Sequence, residues 1–219
     1  MDKDYTHISV ILDRTGSMET IRDDTIGGFN TFLEEQQKQE GKATLTLVQF
    51  DTQDPYEVIH QFKPIKKVPK LTRQTYVPRA MTPLLDAIGR GINDLDQQLN
   101  DLKKSKRPSK IVFVVITDGQ ENSSREFRKD QIEKMIKEQG SKNNWQFVFL
   151  SADLASIADA GSYGFQAKSV MAFDKDGAGT SAMYSSLSKS VGDFRRAAAN
   201  DVSFSKKDRS KQKSEGKRK

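Results

Sequence analysis

Five oxygen-bearing side chains stand where apolar runs end or where a helix-like pattern begins. They are Asp13, Thr15, Ser17, Thr82 and Asp118. Carboxylates and hydroxyls, with no nitrogen or sulfur among them, suit a hard divalent cation such as Mg²⁺, Mn²⁺ or Ca²⁺. Two carboxylates balance the charge of such an ion, but with three hydroxyls they do not fill six coordination positions. At least one position therefore remains for water or for an anionic oxygen from outside.

Each of these signals is weak when it is taken alone. Residues 13–17 are also compatible with a polar turn whose last hydroxyl caps the next helix. Asp118 and Gly119 form a common turn pair, and Thr82 precedes Pro83, which makes it a natural helix N-cap. Together they are specific, because we expect all three segments to meet at one edge of a single sheet.

Apolar runs of strand length alternate with segments of helical period, which predicts an α/β fold. The predicted strands are residues 7–12, 44–50, 57–62, 111–116, 145–150 and 169–173, and the predicted helices are residues 20–39, 85–102, 127–139, 154–160 and 184–194. The short connection at residues 51–56 predicts that the second and third strands pair antiparallel at an edge. The predicted fold is a doubly wound, mostly parallel, Rossmann-like sheet with helices on both faces and one antiparallel edge strand.

Six segments within residues 8–152 carry a resemblance to a known family: LDRTGSM, DTIGGFN, LTLVQFD, MTPLLDAIG, VVITDGQENSSREF and WQFVFLSA. They resemble the von Willebrand factor A-type fold with its metal-ion-dependent adhesion site, and most closely small bacterial and bacteriophage proteins of this class. The family pattern is Asp-x-Ser-x-Ser, then a Thr, then an Asp. It is matched here by Asp13, Thr15, Ser17, Thr82 and Asp118. Thr15 replaces the commoner serine, and Ala80 stands where glycine is usual before the threonine loop.

The resemblance implies a role for each of these side chains. Ser17 and Thr15 would bind the metal directly, and Asp13 and Asp118 would bind it directly or through water. Thr82 would join or leave the metal as the domain changes state. The open position would take a carboxylate from a partner protein. The resemblance therefore implies a metal-dependent protein-binding module rather than an enzyme, with Mg²⁺ as the cofactor and Mn²⁺ or Ca²⁺ as alternatives.

Composition narrows the possible chemistry. The chain has 219 residues, enough for one domain with a sizeable core, and it contains no cysteine. Disulfides, zinc–thiolate sites and thiol nucleophiles are therefore excluded, and His7 and His60 alone do not make a histidine-rich metal site. The N-terminal segment lacks a signal-peptide pattern, and no run approaches the roughly 20 apolar residues that span a membrane. We expect a soluble, cytoplasmic protein.

The positive charge of the chain is concentrated in its C-terminal tail. Residues 205–219 contain eight basic and two acidic residues, an excess equal to the net charge of +6, so residues 1–204 are neutral overall. We expect residues 1–204 to form the folded domain and residues 205–219 to form a disordered basic tail. The tail leaves open a second function, as a nucleic-acid-associated or assembly factor that contacts nucleic acid weakly. A metal-dependent phosphohydrolase is least favoured, because no general base or nucleophile accompanies the predicted ligands.

Two further features have two interpretations each, and a third has one. Residues 174–177 hint at a calcium loop, but they lack the later acidic positions, so a turn is preferred. Glu121, Asn122 and Arg125 either line the rim of the metal face or are solvated loop residues. The glycine pair at residues 27–28 weakens a predicted helix, which indicates close packing of that helix on the sheet.

Overall fold

Six strands form one sheet in this computed structural model, which describes residues 2–211. In chain order the strands are β1 (Asp2–Asp13), β2 (Lys42–Phe50), β3 (Glu57–Pro64), β4 (Pro108–Thr117), β5 (Gln146–Ser151) and β6 (Val170–Ala172). Their spatial order is β3-β2-β1-β4-β5-β6. Among these strands only β3 runs antiparallel, and it pairs with β2 at the edge. The predicted mostly parallel sheet with one antiparallel edge strand is confirmed.

Helices cover both faces of the sheet. They are α1 (Arg22–Lys38), α2 (Leu84–Asp101), α3 (Lys129–Asn143), α4 (Leu154–Ala160), α5 (Gly177–Arg195) and α6 (Lys206–Lys211). α1 and α5 contribute to the hydrophobic core on one face, and α2 and α3 contribute to the core on the other. Among residues 2–211 no helix combines the length and the apolar character needed to cross a membrane.

Strand β4 occupies the centre of the sheet, between β1 and β5. Successive side chains of a strand point to opposite faces. Val112 and Val114 therefore join the core below α1 and α5, whereas Phe113 and Val115 join the core below α2 and α3. Residues 111–117 are all buried. The prediction of a central strand buried on both faces is confirmed.

The glycine pair marks a close contact between two helices. A Cβ atom built on Gly28 would lie 2.2 Å from Cδ2 of Tyr184 in α5, whereas one built on Gly27 would have no neighbour within 4 Å. Any side chain at residue 28 would therefore require the Tyr184 ring or the two helices to shift. The expected packing of this glycine pair on the sheet is wrong, because the close approach is between α1 and α5.

Residues 205–211 differ from the expected disordered tail. Helix α6 follows Ser205, whose hydroxyl and backbone N–H donate to Oδ2 of Asp208 at 2.5 and 2.9 Å. Arg209 donates hydrogen bonds to three backbone carbonyl oxygens in or just before β6, those of Ala167, Lys168 and Val170. The expectation is wrong for this stretch because polar anchoring by Arg209 replaces the missing apolar burial. Residues 212–219, the rest of the predicted tail, lie outside the described residues.

Candidate metal centre

The carboxyl ends of β1 and β4 lie side by side. Leu12 pairs with Ile116 in the parallel register, so Asp13 and Thr117 follow at the same level and Asp118 comes one residue later. The hydroxyl of Thr117 donates a hydrogen bond of 2.5 Å to Oδ2 of Asp13. The structure therefore brings both predicted carboxylates to one edge of the sheet.

Arg14 turns toward the loop after β2 and toward β3. Its guanidinium forms ion pairs with Asp51, at 2.8 Å, and with Glu57. The backbone N–H of Thr15 instead donates to Oδ1 of Asp13 at 2.7 Å. The Arg14 side chain thus points in a different direction from those of Asp13 and Thr15, as the alternation of side chains along an extended segment predicts.

The loop that carries the hydroxyls is attached to a second loop, at residue 80. The backbone N–H of Gly16 donates to the carbonyl oxygen of Ala80 at 3.1 Å. Ala80 has a φ of 59°, in the left-handed region that favours glycine. Ala80 therefore holds a strained backbone next to the predicted ligands.

The hydroxyls of Thr15 and Ser17 have the spacing of neighbouring metal ligands. Their oxygens are 3.1 Å apart, and Ser17 Oγ donates to Oδ1 of Asp118 at 2.6 Å. Oxygens bound to an octahedral ion at about 2.1 Å are about 3.0 Å from one another. These side chains therefore fit adjacent positions around a Mg²⁺-sized ion.

The start of α2 shows that Thr82 is not a helix cap. The helix begins at Leu84, with Pro83 at the N-cap position and no side-chain capping bond there. Glu121 supplies an acceptor instead, because its Oε2 accepts from the backbone N–H of Leu85 at 2.9 Å. The alternative interpretation of Thr82 as a helix N-cap is therefore wrong. The Glu121 carboxylate accepts a hydrogen bond at the start of the helix in its place.

Thr82 is instead tied to the loop that follows β4. Its backbone N–H donates to Oδ1 of Asn122 at 3.0 Å, and the Asn122 N–H donates to the Thr82 carbonyl at 3.2 Å. A Cβ atom on Gly119 would lie 3.7 Å from both Ser17 Oγ and Thr82 Oγ1. These two hydroxyl oxygens are thus at most twice that distance apart, so Thr82 lies at the same edge of the sheet as the other four residues.

Two buried carboxylates lie at this edge, and an ammonium group, that of Lys175, is paired with one of them, Asp118. Asp13 is fully buried and Asp118 is nearly so. Burial, reinforced by the negative charge of Asp118, raises the pKa of Asp13 to about 7, whereas hydrogen bonds from Thr117 and Thr15 act in the opposite direction. The surroundings of Asp13 therefore disfavour its ionised form unless a cation lies beside it.

Lys175 contributes a positive charge that the sequence did not predict. Its Nζ lies 2.6 Å from Oδ2 of Asp118, and 35% of its side chain is exposed. It precedes Asp176, which caps α5 by accepting from the backbone N–H of Gly179 at 2.8 Å. Residues 174–177 therefore lead into a helix, in line with the predicted turn. The only sequence signal for Lys175 is its place just beyond β6, at the same edge of the sheet.

Among the described residues, no histidine and no third carboxylate joins the predicted ligands. Within residues 2–211 no group of three or more His, Cys, Asp or Glu side chains is placed to hold a metal. His7 is buried inside β1, and His60 belongs to the edge strand β3. Any cation bound here would therefore be held by two carboxylates and by hydroxyl oxygens.

No protein-family model and no curated protein sequence matches the chain. Solved structures do match it. The pilus adhesin SpaC from Lactobacillus rhamnosus GG, in its open conformation, gives a TM-score of 0.62 at 12% identity, over 85% of this chain and 30% of that chain. Proximal thread matrix protein 1 from the mussel byssus, with a zinc-occupied MIDAS motif, gives 0.53 at 15% identity, over 90% of this chain and 47% of that chain.

A von Willebrand factor type A structure from Catenulispora acidiphila gives a TM-score of 0.53 at 13% identity, over 84% of this chain and 42% of that chain. The chain thus spans less than half the length of each of these structures. Likeness at such low identity establishes the fold and nothing finer. The chain has the α/β fold of von Willebrand factor A-type domains.

Proposed function

We propose that this chain is a protein-binding module that holds a Mg²⁺-class cation and, through it, an acidic side chain of a partner protein. The proposed ligands are Asp13, Thr15, Ser17, Thr82 and Asp118. The observation that carries the proposal is their convergence from three separate segments onto one edge of the sheet, around the buried Asp13. The expected kinship with bacterial and bacteriophage proteins stays a prediction.

The two carboxylates, Ser17 and Lys175 have distinct tasks in this proposal. Asp13 and Asp118 supply the negative charge that balances a divalent cation. Ser17 donates its hydroxyl hydrogen bond to Asp118, so the lone pairs of its oxygen stay available to a cation. A bound cation would supply the positive charge that attracts and orients a carboxylate from outside. Lys175, beside Asp118, leaves the loaded site with a surplus positive charge, which favours an anionic partner.

Binding without catalysis is the simplest role for this set of groups. The converging side chains are oxygen ligands, and neither histidine lies at the edge where they meet. The zinc-occupied MIDAS motif of the mussel protein and the adhesin role of SpaC support a metal-dependent binding function by analogy of fold. The absence of nitrogen and sulfur ligands favours Mg²⁺ or Mn²⁺ over zinc here.

Thermal unfolding with and without metal tests this proposal. A ligand that binds only the folded state stabilises it by about 2.7 kcal/mol at 100 times its Kd. MgCl₂ or MnCl₂ should therefore raise the Tm relative to EDTA, and Asp118→Ala should abolish the rise. Asp153→Asn is the matched control, because Asp153 caps α4 beyond the neighbouring strand and asparagine caps equally well. An undiminished rise in Asp118→Ala would contradict the proposal.

A further inference from the structure

Exposed apolar side chains concentrate around the candidate metal centre. Among the described residues, the large hydrophobic side chains that are substantially exposed are Val58, Val77, Met81 and Leu154. Single exposed apolar residues scattered over a surface are ordinary. Here they are not scattered, because three of the four belong to segments that are hydrogen-bonded to the metal-centre loops.

Met81 and Val77 lie on one side of the centre. Met81 immediately precedes Thr82 and is 54% exposed. Its backbone N–H and carbonyl are both hydrogen-bonded to Thr52, in the loop that follows β2, at 3.1 Å each. Val77 follows Tyr76, whose hydroxyl donates to the Asp13 carbonyl at 2.6 Å. These contacts anchor Met81 near the carboxyl end of β2 and attach the segment of Val77 to the end of β1.

Leu154 lies on the other side of the centre. It is the first residue of α4, just beyond β5, and it is 74% exposed. The hydroxyl of Ser156, in the same helical turn, donates to the carbonyl oxygen of Gly119 at 2.7 Å. Gly119 directly follows Asp118. Leu154 is therefore anchored near the carboxyl end of β5. Met81, Val77 and Leu154 are called the apolar rim below.

The spacing of β2 and β5, near whose carboxyl ends Met81 and Leu154 are anchored, suits an extended peptide. Strands β1 and β4, which carry the predicted carboxylates, lie between β2 and β5. Strands are about 4.8 Å apart, so β2 and β5 are separated by about 14 Å. An extended chain advances about 3.4 Å per residue and presents every second side chain on one face. Side chains two residues before and two residues after a central residue are therefore also about 14 Å apart.

We propose that the partner presents an extended segment with a central Asp or Glu and with apolar side chains two residues before and two residues after it. The central carboxylate meets the metal, and the two apolar side chains pack on Met81 and Leu154. The positive charge of Lys175 beside Asp118 complements the central acid. This inference rests on the proposed function and adds the chemistry and spacing of the partner segment.

Selection from a random peptide library tests the proposed function and this further inference separately. The full chain is immobilised in MgCl₂, and bound peptides are eluted with EDTA. The expected result is enrichment of an acidic residue with apolar residues at positions −2 and +2. Enrichment of acidic peptides without that apolar spacing would overturn the inference and leave the proposed function standing. If EDTA elutes no acidic peptides, the proposed function itself fails.

Variants of the rim provide the second test. Met81→Ser combined with Leu154→Ser should weaken a selected peptide about tenfold and leave the Mn²⁺ affinity of the chain unchanged. Val58→Ser is the matched control, because Val58 is exposed on the edge strand β3 and should leave peptide affinity unchanged. Equal peptide affinity in the double variant and the unaltered chain would overturn the inference. Replacing both apolar residues of the peptide by serine should reproduce the loss.

Discussion

Ser17 Oγ donates a hydrogen bond of 2.6 Å to Oδ1 of Asp118, although the two residues are 101 positions apart. The bond joins the loop after β1 to the end of β4 across the edge where both strands finish. It also aims the serine lone pairs away from the carboxylate, because the single hydroxyl proton is already used. Hydroxyl and carboxylate are thereby set in the relative positions that a shared cation requires.

Asp13→Asn should separate metal binding from stability. The substitution removes a buried charge. The amide oxygen can still accept from the Thr15 N–H, and the Thr117 hydroxyl can accept from the amide NH₂ instead of donating to Asp13. In EDTA at pH 8 we expect the free energy of unfolding to rise by about 1 kcal/mol, while the stabilisation by MgCl₂ disappears. Urea unfolding under both conditions measures each effect.

The control for that experiment is another buried carboxylate. Asp86 accepts hydrogen bonds from the backbone N–H groups of residues 125–127 at 2.8 to 2.9 Å. Its charge is therefore compensated, and Asp86→Asn should lower the free energy of unfolding by about 1–3 kcal/mol. Destabilisation of Asp13→Asn to the same degree would show that the charge of Asp13 is equally well compensated without metal.

Lys175→Met should tighten metal binding. Removing a positive charge from beside Asp118 favours a cation by about 1.4 kcal/mol, which is a tenfold lower Kd for Mn²⁺. Lys175→Arg keeps the charge and should bind Mn²⁺ as the unaltered chain does. Lys168→Met, which breaks a surface ion pair with Asp201 at 2.7 Å, is the control. An unchanged Mn²⁺ affinity in Lys175→Met would show that the lysine does not share the site.

His7 should make stability depend on pH. It is buried in β1, with Nδ1 2.8 Å from Thr44 Oγ1 and its ring stacked on Phe62. Burial lowers its pKa from 6.5 to about 3, so the unfolded chain takes up this proton at a higher pH than the folded one. The neutral ring therefore contributes its full stability above pH 6.5. That contribution is lost as pH falls toward 3, by at most about 1.4 kcal/mol per pH unit.

Urea unfolding at pH 7.5, 6 and 5 measures this loss. His7→Gln cannot take up the proton and should show a shallower decline than the unaltered chain. His60→Gln, at a partly buried position on β3, should change the dependence of the free energy of unfolding on pH less. Identical slopes for His7→Gln and the unaltered chain would rule out a role for His7.

Arg209 should stabilise the C-terminal part of the fold. It donates to the carbonyl oxygens of Ala167 and Lys168 at 2.8 and 3.2 Å. Arg209→Ala should lower the free energy of unfolding by about 1 kcal/mol. Truncation after Phe204 removes the same bonds and should lower it at least as much. Lys207→Ala, at an exposed position of the same helix, should have no effect, and a Tm of Arg209→Ala equal to that of Lys207→Ala would contradict the anchoring role.

Much of the fold was predictable because its signals are local. The apolar run of β4 and the bounds of α4 follow from side-chain patterns within a few residues. The convergence of Asp13 and Asp118 followed from one rule of parallel sheets, that ligands bind beyond the carboxyl ends of the strands. These features can be predicted without knowing how distant loops fold.

The features that the sequence did not predict depend on distant contacts or on polar anchoring. The approach of Lys175 to Asp118 depends on how the loop after β6 turns back over the sheet edge, and a loop lysine carries no pattern of its own. The contact of Gly28 with Tyr184 depends on which helices share a face. Helix α6 has no apolar period and is held by Arg209.

Anomalous X-ray scattering from crystals of the chain grown with MnCl₂ tests the central claim most directly. The predicted result is one Mn²⁺ peak at the carboxyl edge of the sheet, about 2–2.5 Å from the hydroxyl oxygens of Ser17 and Thr15, with Asp13 and Asp118 bound directly or through water. The peak should keep at least one position open to solvent. The absence of a peak at this edge, with Mn²⁺ bound elsewhere on the chain, would contradict the claim that these residues form a metal centre.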